Sequence, residues 1–234
     1  MLSAKGITYI KEKSYILSDV NIKLPKQKII GFLGPNAAGK TTLMQLLTGM
    51  RFLQSGEIEL DNFNDRTYLI ENTVYMNHEN NFPGNWTGKQ VLKHYHLACK
   101  RFNHQKFMGM VKQLEIDLEK PLSKLSRGIT ERLMLSLTLS QDASYYFLDE
   151  PLTGIDMLTR EEIIRSLLTF ADEDATIIIS SHYIEVFEML FDDVYFINQG
   201  KVIGHVECEA MREAEGLTLN EYYVKMYKEG VSAW

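Results

Sequence analysis

The chain has 234 residues, 45% of them apolar, and a formal net charge of −6. That length suits one α/β domain with room for a subdomain, and the acidic balance argues against a general nucleic-acid binder, which carries a basic face. No uninterrupted apolar run reaches the roughly 18 residues needed to cross a bilayer, and residues 1–10 lack the basic start and apolar stretch of a secretory signal, so a cytoplasmic location is expected.

In chain order, the first part reads as strands. Val20-Asn21-Ile22-Lys23-Leu24 alternates apolar and polar as a half-exposed strand does. A turn at Pro25-Lys26-Gln27-Lys28 leads to Ile29-Ile30-Gly31-Phe32-Leu33, a continuous apolar run of the kind covered on both faces. A glycine-rich segment follows, then a helix over 41–50. Glu57-Ile58-Glu59-Leu60 reads as a strand entering the turn Asp61-Asn62-Phe63-Asn64. From about Thr87 to Leu139 helical periodicity dominates, punctuated by Pro121 and Gly128. Thr87 is expected to cap the first of these helices. Strands resume at Tyr145-Tyr146-Phe147-Leu148 and at 175–180, with a helix over 158–170 between them. That alternation implies parallel pairing with a right-handed crossover. Asp193–Ile197 and Lys201–Ile203 flank the hairpin turn Asn198-Gln199-Gly200, and an amphipathic helix over 217–229 closes the chain, with no further domain expected after it.

Gly34-Pro35-Asn36-Ala37-Ala38-Gly39-Lys40-Thr41 fits the phosphate-loop pattern G-x-x-x-x-G-K-[ST] in full. Its glycines let the backbone approach phosphate oxygens. Successive N–H groups form an anion nest, and the positive end of the following helix adds to the attraction. Lys40 suits the β- and γ-phosphates, the Thr41 hydroxyl suits Mg²⁺, and Thr42 suits an adjacent phosphate. A chance glycine turn is the competing reading, but the buried strand before and the helix after are the context the pattern demands. The apolar strand 145–148 ends in Asp149-Glu150-Pro151, which puts two carboxylates where open α/β sheets bind ligands. Asp149 there can hold Mg²⁺ through its water shell, and Glu150 can polarise a water for in-line attack. An acidic surface turn is the alternative.

Three further segments follow in order. Leu125-Ser126-Arg127-Gly128-Ile129 with Glu131-Arg132 resembles the signature of the ABC transporter ATPases, Thr153-Gly154-Ile155-Asp156 resembles their D-loop, and Ser180-Ser181-His182 resembles their switch histidine. The resemblance covers essentially the whole chain. It implies an α/β P-loop NTPase of the ABC ATPase fold: a RecA-like core with an antiparallel β-subdomain (1–77 and 140–234) and an inserted α-helical subdomain (78–139). It also implies ATP and Mg²⁺ as cofactors and a head-to-tail dimer with a second ATPase subunit. Further implications are a separate membrane permease as partner, at the cytoplasmic face of the membrane, and no nucleic acid. In such a dimer Ser126 and Gly128 would face the γ-phosphate held by the other protomer, His182 would contact that phosphate and help hold Glu150, and Asp156 would couple the two sites. The closing helix resembles that of small exporter ATPases, which points to export.

The sequence departs from the family pattern at Ala37, where glycine is usual, at Arg127 and Ile129 in the signature, and at the Q-loop. There Tyr75-Met76-Asn77-His78 ends in His78 instead of glutamine. His78 is either a Mg²⁺ or water contact or a polar loop residue. The adenine-stacking aromatic is also open. Lys11 falls nearest its alignment, with Tyr9 and Tyr15 on either side. Phe82 and Trp86 are either anchors for the permease or core packing. His94 and His96, two apart on a helix, do not share a face and so do not form a joint metal site. The alternatives kept are a soluble ABC ATPase of translation or DNA repair, and a catalytically weak partner in a heterodimeric transporter.

Overall fold

The computed structural model describes residues 1–77 and 82–228. In chain order it begins with β1 (Leu2–Lys11), β2 (Ser14–Leu24), β3 (Ile29–Leu33), α1 (Lys40–Leu47), β4 (Ser55–Leu60), α2 (Arg66–Asn72) and β5 (Thr73–Asn77). The helical region comprises α3 (Gly88–Ala98), α4 (His104–Gln113), a 3-10 turn at Leu122–Lys124 and α5 (Arg127–Leu139). The chain continues through β6 (Tyr145–Asp149), α6 (Met157–Phe170), β7 (Thr176–Ser181), α7 (Ile184–Phe187), β8 (Asp193–Asn198), β9 (Lys201–Glu207), α8 (Cys208–Glu215) and α9 (Leu219–Lys228).

Among the described residues the strands form two sheets. One is antiparallel, in the order β2-β1-β4; the other runs β5-β6-β7-β3-β8-β9 and is parallel except for β9. The larger sheet is covered on both faces, as its continuous apolar strands require. Alternation assigns the faces. Tyr145, Phe147, Ile178, Ile30 and Phe32 pack against α1 and the small sheet. Tyr146, Leu148, Ile177, Ile179, Val194 and Phe196 pack on the other side with the helical region and α6 to α9. In α5, Leu133, Leu135, Leu137 and Leu139 are all buried. From Leu133 to Leu139 α5 is buried on every side, its Ser136 and Thr138 hydroxyls satisfied by the Arg132 and Met134 carbonyls, so α5 ties the helical region to the sheet. Among the described residues no helix is long and apolar enough to cross a membrane.

Several boundaries differ from the sequence pattern, each for a local reason. β1 carries three register shifts against β2, which break the period of two that would reveal it. The helix expected over 41–50 ends at Leu47 because Gly49, at φ +69, turns the chain into the left-handed region. Gly128, expected to punctuate the helices, sits inside the first turn of α5. Thr87 does cap α3, in a reciprocal pair with Gln90: each side chain accepts from the other's backbone N–H.

Candidate functional site

The loop between β3 and α1 lies at the carboxyl ends of the parallel strands, where β3, β6 and β7 run side by side. Gly39 takes φ +104, and a Cβ there would lie 2.8 Å from the Leu17 side chain and 2.9 Å from the Ile16 carbonyl. The loop is thus wedged against β2. It is also tied to the β8–β9 hairpin, because the Gly200 N–H donates to the Ala38 carbonyl at 3.0 Å. Ala37 adopts φ +61. An L-residue in that region costs about 1–2 kcal/mol relative to glycine, so the alanine in this slot carries strain that a glycine would not.

Lys40 opens α1 and is 6% exposed. Its ammonium donates to the Gly34 carbonyl at 2.8 Å and the Pro35 carbonyl at 3.1 Å, and lies 3.8 Å from Glu150 Oε1. Burial pulls its pKa below the usual lysine value, while Glu150 and Asp149 oppose that shift. Thr41 and Thr42 follow in the same turn, with hydroxyls that form no hydrogen bond within the chain among the described residues. The exposed Thr41 hydroxyl and the Asp149 carboxylate are hard oxygen donors. They fit Mg²⁺, which takes one or two protein oxygens and completes its shell with phosphate and water. A cluster of three or more acidic, histidine or cysteine ligands is not needed for that, and none occurs among the described residues.

Asp149 ends β6 and is 3% exposed. Both its oxygens are engaged: Ser180 Oγ donates to Oδ1 at 2.5 Å and the Tyr75 hydroxyl to Oδ2 at 2.8 Å. Burial, reinforced by the Asp149 charge, raises the Tyr75 pKa well above its ordinary value, which keeps the phenol a donor. Glu150 then turns sharply, at φ +51, and its N–H is shared by the carbonyl and hydroxyl of Ser180 at 3.2 and 2.9 Å. A non-glycine residue held there is strained, and the paired strand end over-determines it. The turn aims its carboxylate at His182, whose Nδ1 lies 2.7 Å from Oε2, and Thr153 Oγ1 donates to the same oxygen at 3.2 Å.

The structure therefore brings Lys40, Asp149, Glu150 and His182 into one cluster beside the loop of residues 34–42. Ser126, Gly128 and Asp156 lie apart from it; among the described residues, no hydrogen bond or ion pair joins them to that loop. Ser126 is the N-cap of α5, its Oγ accepting from Ile129 N–H at 3.3 Å. The Arg127 guanidinium packs against the α-carbon of Gly154, and Gly128 faces Thr159 so closely that a Cβ would lie 2.9 Å from its methyl. Asp156 caps α6 by accepting from the Thr159 N–H and hydroxyl at 3.1 and 2.8 Å, which hold its pKa below the usual carboxylate range. Beside these residues Met157 and Leu158 are each 75% exposed.

Elsewhere, His78 lies outside the described residues. The Tyr9 hydroxyl accepts from Arg51 at 2.8 Å, and the Arg51 guanidinium also lies over the Tyr9 ring. Lys11 and Tyr15 are exposed, and Tyr15 neighbours Ile16, whose carbonyl abuts Gly39. Phe82 and Trp86 stack on each other, half-buried against the helical core. His94 packs against both, while His96 instead meets His104 at 3.0 Å. Tyr75 and Ser180 are the site residues to which the sequence assigned no role. For Ser180 a signal existed: a hydroxyl closing the run Ile177-Ile178-Ile179 is buried with its strand and must find a partner. Tyr75 is an ordinary strand residue until β5 is laid beside β6.

Comparison with known proteins places the chain among similar sequences and folds. The sequence model described as ABC transporter matches residues 17–153. Over 216 residues the chain is 26% identical to the ABC transporter ATP-binding protein YtrB of Bacillus subtilis (91% of this chain, 74% of that one). It is 29% identical over 223 residues to the lantibiotic transport ATP-binding protein SrtF of Streptococcus pyogenes (94% and 97%). To the manganese transport system ATP-binding protein MntB of Listeria innocua it is 27% identical over 219 residues (89% and 90%). A solved ATP-binding subunit of an ABC transporter superposes with a TM-score of 0.84 at 19% identity, covering 97% of this chain and 100% of that one. A dimeric ATP-binding cassette in a post-hydrolysis state bound to ADP and Pi superposes at 0.77 with 18% identity, covering 89% and 99%.

Proposed function

This chain belongs to the ABC transporter family, as an ATP-binding subunit with the ABC ATPase fold, and on that premise we propose that it hydrolyses ATP as one half of a head-to-tail dimer beneath a separate membrane permease, driving export. The observation that carries this reading is the cluster of Lys40, Glu150 and His182 around a phosphate loop, with Glu150 within 2.7 Å of His182 and 3.8 Å of Lys40.

The chemistry follows from the placement. The backbone N–H groups of residues 34–39 and the start of α1 form an anion site. Lys40 exchanges its two carbonyl partners for the β- and γ-phosphates, and Thr42 holds an adjacent phosphate. Thr41 and, through water, Asp149 would hold Mg²⁺, which would supply positive charge to offset that of the phosphates. Glu150 takes a proton from the attacking water as general base, and His182 holds Glu150 and the γ-phosphate in register. Of Tyr9 and Tyr15, Tyr15 is proposed to stack on the base; its exposure and its position next to Ile16, whose carbonyl abuts the loop at Gly39, support that choice.

The second protomer enters because α5 and α6 begin at the surface with capped, unblocked ends, flanked by the exposed side chains of Met157 and Leu158. Ser126 and Gly128 there would meet the partner's γ-phosphate and Asp156 would cross the interface. The dimeric cassette that superposes on this fold supports that arrangement. Cargo direction is the finer part of the proposal. It rests on the likeness of α9 to the closing helix of small exporter ATPases, and the subunit would sit at the cytoplasmic face of the membrane.

Glu150→Gln tests the centre. Removing the base is expected to cut turnover about 10²–10⁴-fold while leaving ATP binding intact, measured by phosphate release and by nucleotide titration. Hydrolysis that survives the change sinks the assignment.

A further inference from the structure

Hydrogen bonds lead out of the acidic centre on the side away from Lys40, and nothing in the mechanism above uses them. Tyr75 on β5 lies beside Phe147 on β6 in the parallel register, and Asp149 is two residues further along the same face. Its hydroxyl donates to Asp149 Oδ2 at 2.8 Å. That hydroxyl in turn receives the side-chain amide of Gln45 at 3.4 Å. Gln45 is one turn beyond Thr41 on α1, so the two project from the same side of the helix. The Gln45 carbonyl is gripped by Arg51, whose Nε and Nη2 donate at 3.0 and 2.7 Å, and Arg51 Nη1 reaches the Tyr9 hydroxyl at 2.8 Å. Tyr75 is therefore oriented from behind by Gln45 on α1, which is itself held by Arg51 in the loop after α1, and Arg51 is tied in turn to Tyr9 on β1. A phenol so held can only point its proton at the carboxylate.

We propose that Tyr75 is a positioning residue for Asp149: its hydroxyl, aligned by Gln45 and Arg51, fixes the carboxylate in the rotamer that presents it to the metal-bound nucleotide. With Ser180 on one oxygen and Tyr75 on the other, Asp149 is clamped at both ends. Without Tyr75 the carboxylate is held by Ser180 at one oxygen only, gains torsional freedom about its Cβ–Cγ bond and loses part of its preorganisation. The inference rests on the ATPase reading above and adds to it a residue type that the phosphate-loop and strand-end motifs do not include.

The consequence is selective. Asp149 acts on nucleotide only through the cation, whereas Lys40 and the loop N–H groups bind phosphate with or without it. Tyr75→Phe keeps the ring and removes only the oxygen. It is expected to weaken binding of a fluorescent ATP analogue roughly tenfold in excess Mg²⁺, the worth of one hydrogen bond to a charged group, and to leave binding in EDTA unchanged. Gln45→Leu, which leaves Tyr75 in place but unaligned, is expected to give a smaller loss with the same Mg²⁺ dependence, and stands in should Tyr75→Phe not fold. Equal affinity of Tyr75→Phe and the parent chain in Mg²⁺ overturns the inference, as does an equal loss in Mg²⁺ and EDTA, which would mark general damage to the loop. If the parent chain binds the analogue and Glu150→Gln stops its turnover, either of those outcomes removes Tyr75 alone. A parent chain that binds no ATP analogue under either condition removes the ATPase reading and this inference together.

Discussion

The two polar regions of this molecule are built on opposite plans. At the carboxyl ends of β3, β6 and β7, each charged group finds its partners inside the chain: Lys40 on two carbonyls, Asp149 between Ser180 and Tyr75, Glu150 against His182. At the starts of α5 and α6, Ser126 and Asp156 cap only their own helices and stand exposed, with Met157 and Leu158 bare beside them. The first region is closed and strained, with Ala37 and Glu150 in left-handed backbone. The second is open and relaxed. A nucleotide site needs preorganised charge, which only a buried, cross-braced strand end supplies. In the proposed dimer the second region would meet the other protomer, and there the Ser126 hydroxyl accepts from Ile129 N–H with its own proton uncommitted among the described residues.

The sharpest way to break this comparison is to divide the two regions between chains. Lys40→Ala disables the closed region and Gly128→Asp the open one, and each variant alone is expected to be inactive. If each site takes its loop from one chain and its signature from the other, mixing the two variants restores ATPase activity that neither has, because one site of the mixed dimer is intact. A mixture that stays inactive while each variant still folds would show that the open face is not half of a site.

A smaller effect separates the regions by pH. Glu131 is on α5, 2% exposed, with one carboxylate oxygen that has no hydrogen-bond partner in the structure. Burial pushes its pKa up from 4.5 to about 7, partly offset by Arg127. A carboxyl raised in the folded state stabilises the fold fully below its unfolded pKa, and that stability is lost as pH rises through about 7. The loss is on the order of 3 kcal/mol. Glu131→Gln is therefore expected to flatten the decline in urea midpoint between about pH 5 and about pH 8. A parallel decline in both proteins would place the pH dependence elsewhere than behind the signature.

The smallest effect lies in the closed region. Ala37→Gly removes the left-handed alanine, and after the greater chain entropy of glycine it should stabilise the fold by about 0.5–1 kcal/mol, read as a rise in melting temperature. A fall instead would mean that the alanine methyl contributes packing that outweighs its strain.

Much of the fold was legible in one dimension. The apolar runs at 29–33 and 145–148 had to be buried strands, and each ends where polar residues begin, so the loop and the two carboxylates fell at one sheet edge. The capped start of α3 was legible from Thr87 for the same local reason. What escaped were elements whose pattern is broken or short: β1 with its register shifts, the seven-residue α2, and β5, whose five residues looked like the approach to His78.

The sequence by itself determined the chemistry available: a phosphate loop, a carboxylate pair and a histidine in fixed order, because each rests on contacts between near neighbours in the chain. The tertiary structure alone decided which of these groups touch. Glu150 meets His182 across 32 residues and Asp149 meets Tyr75 across 74, and only the strand order β5-β6-β7-β3 makes them neighbours. Parallel pairing aligns strand ends that the chain visits at long intervals, so the clamp on Asp149 has no signature in the order of residues.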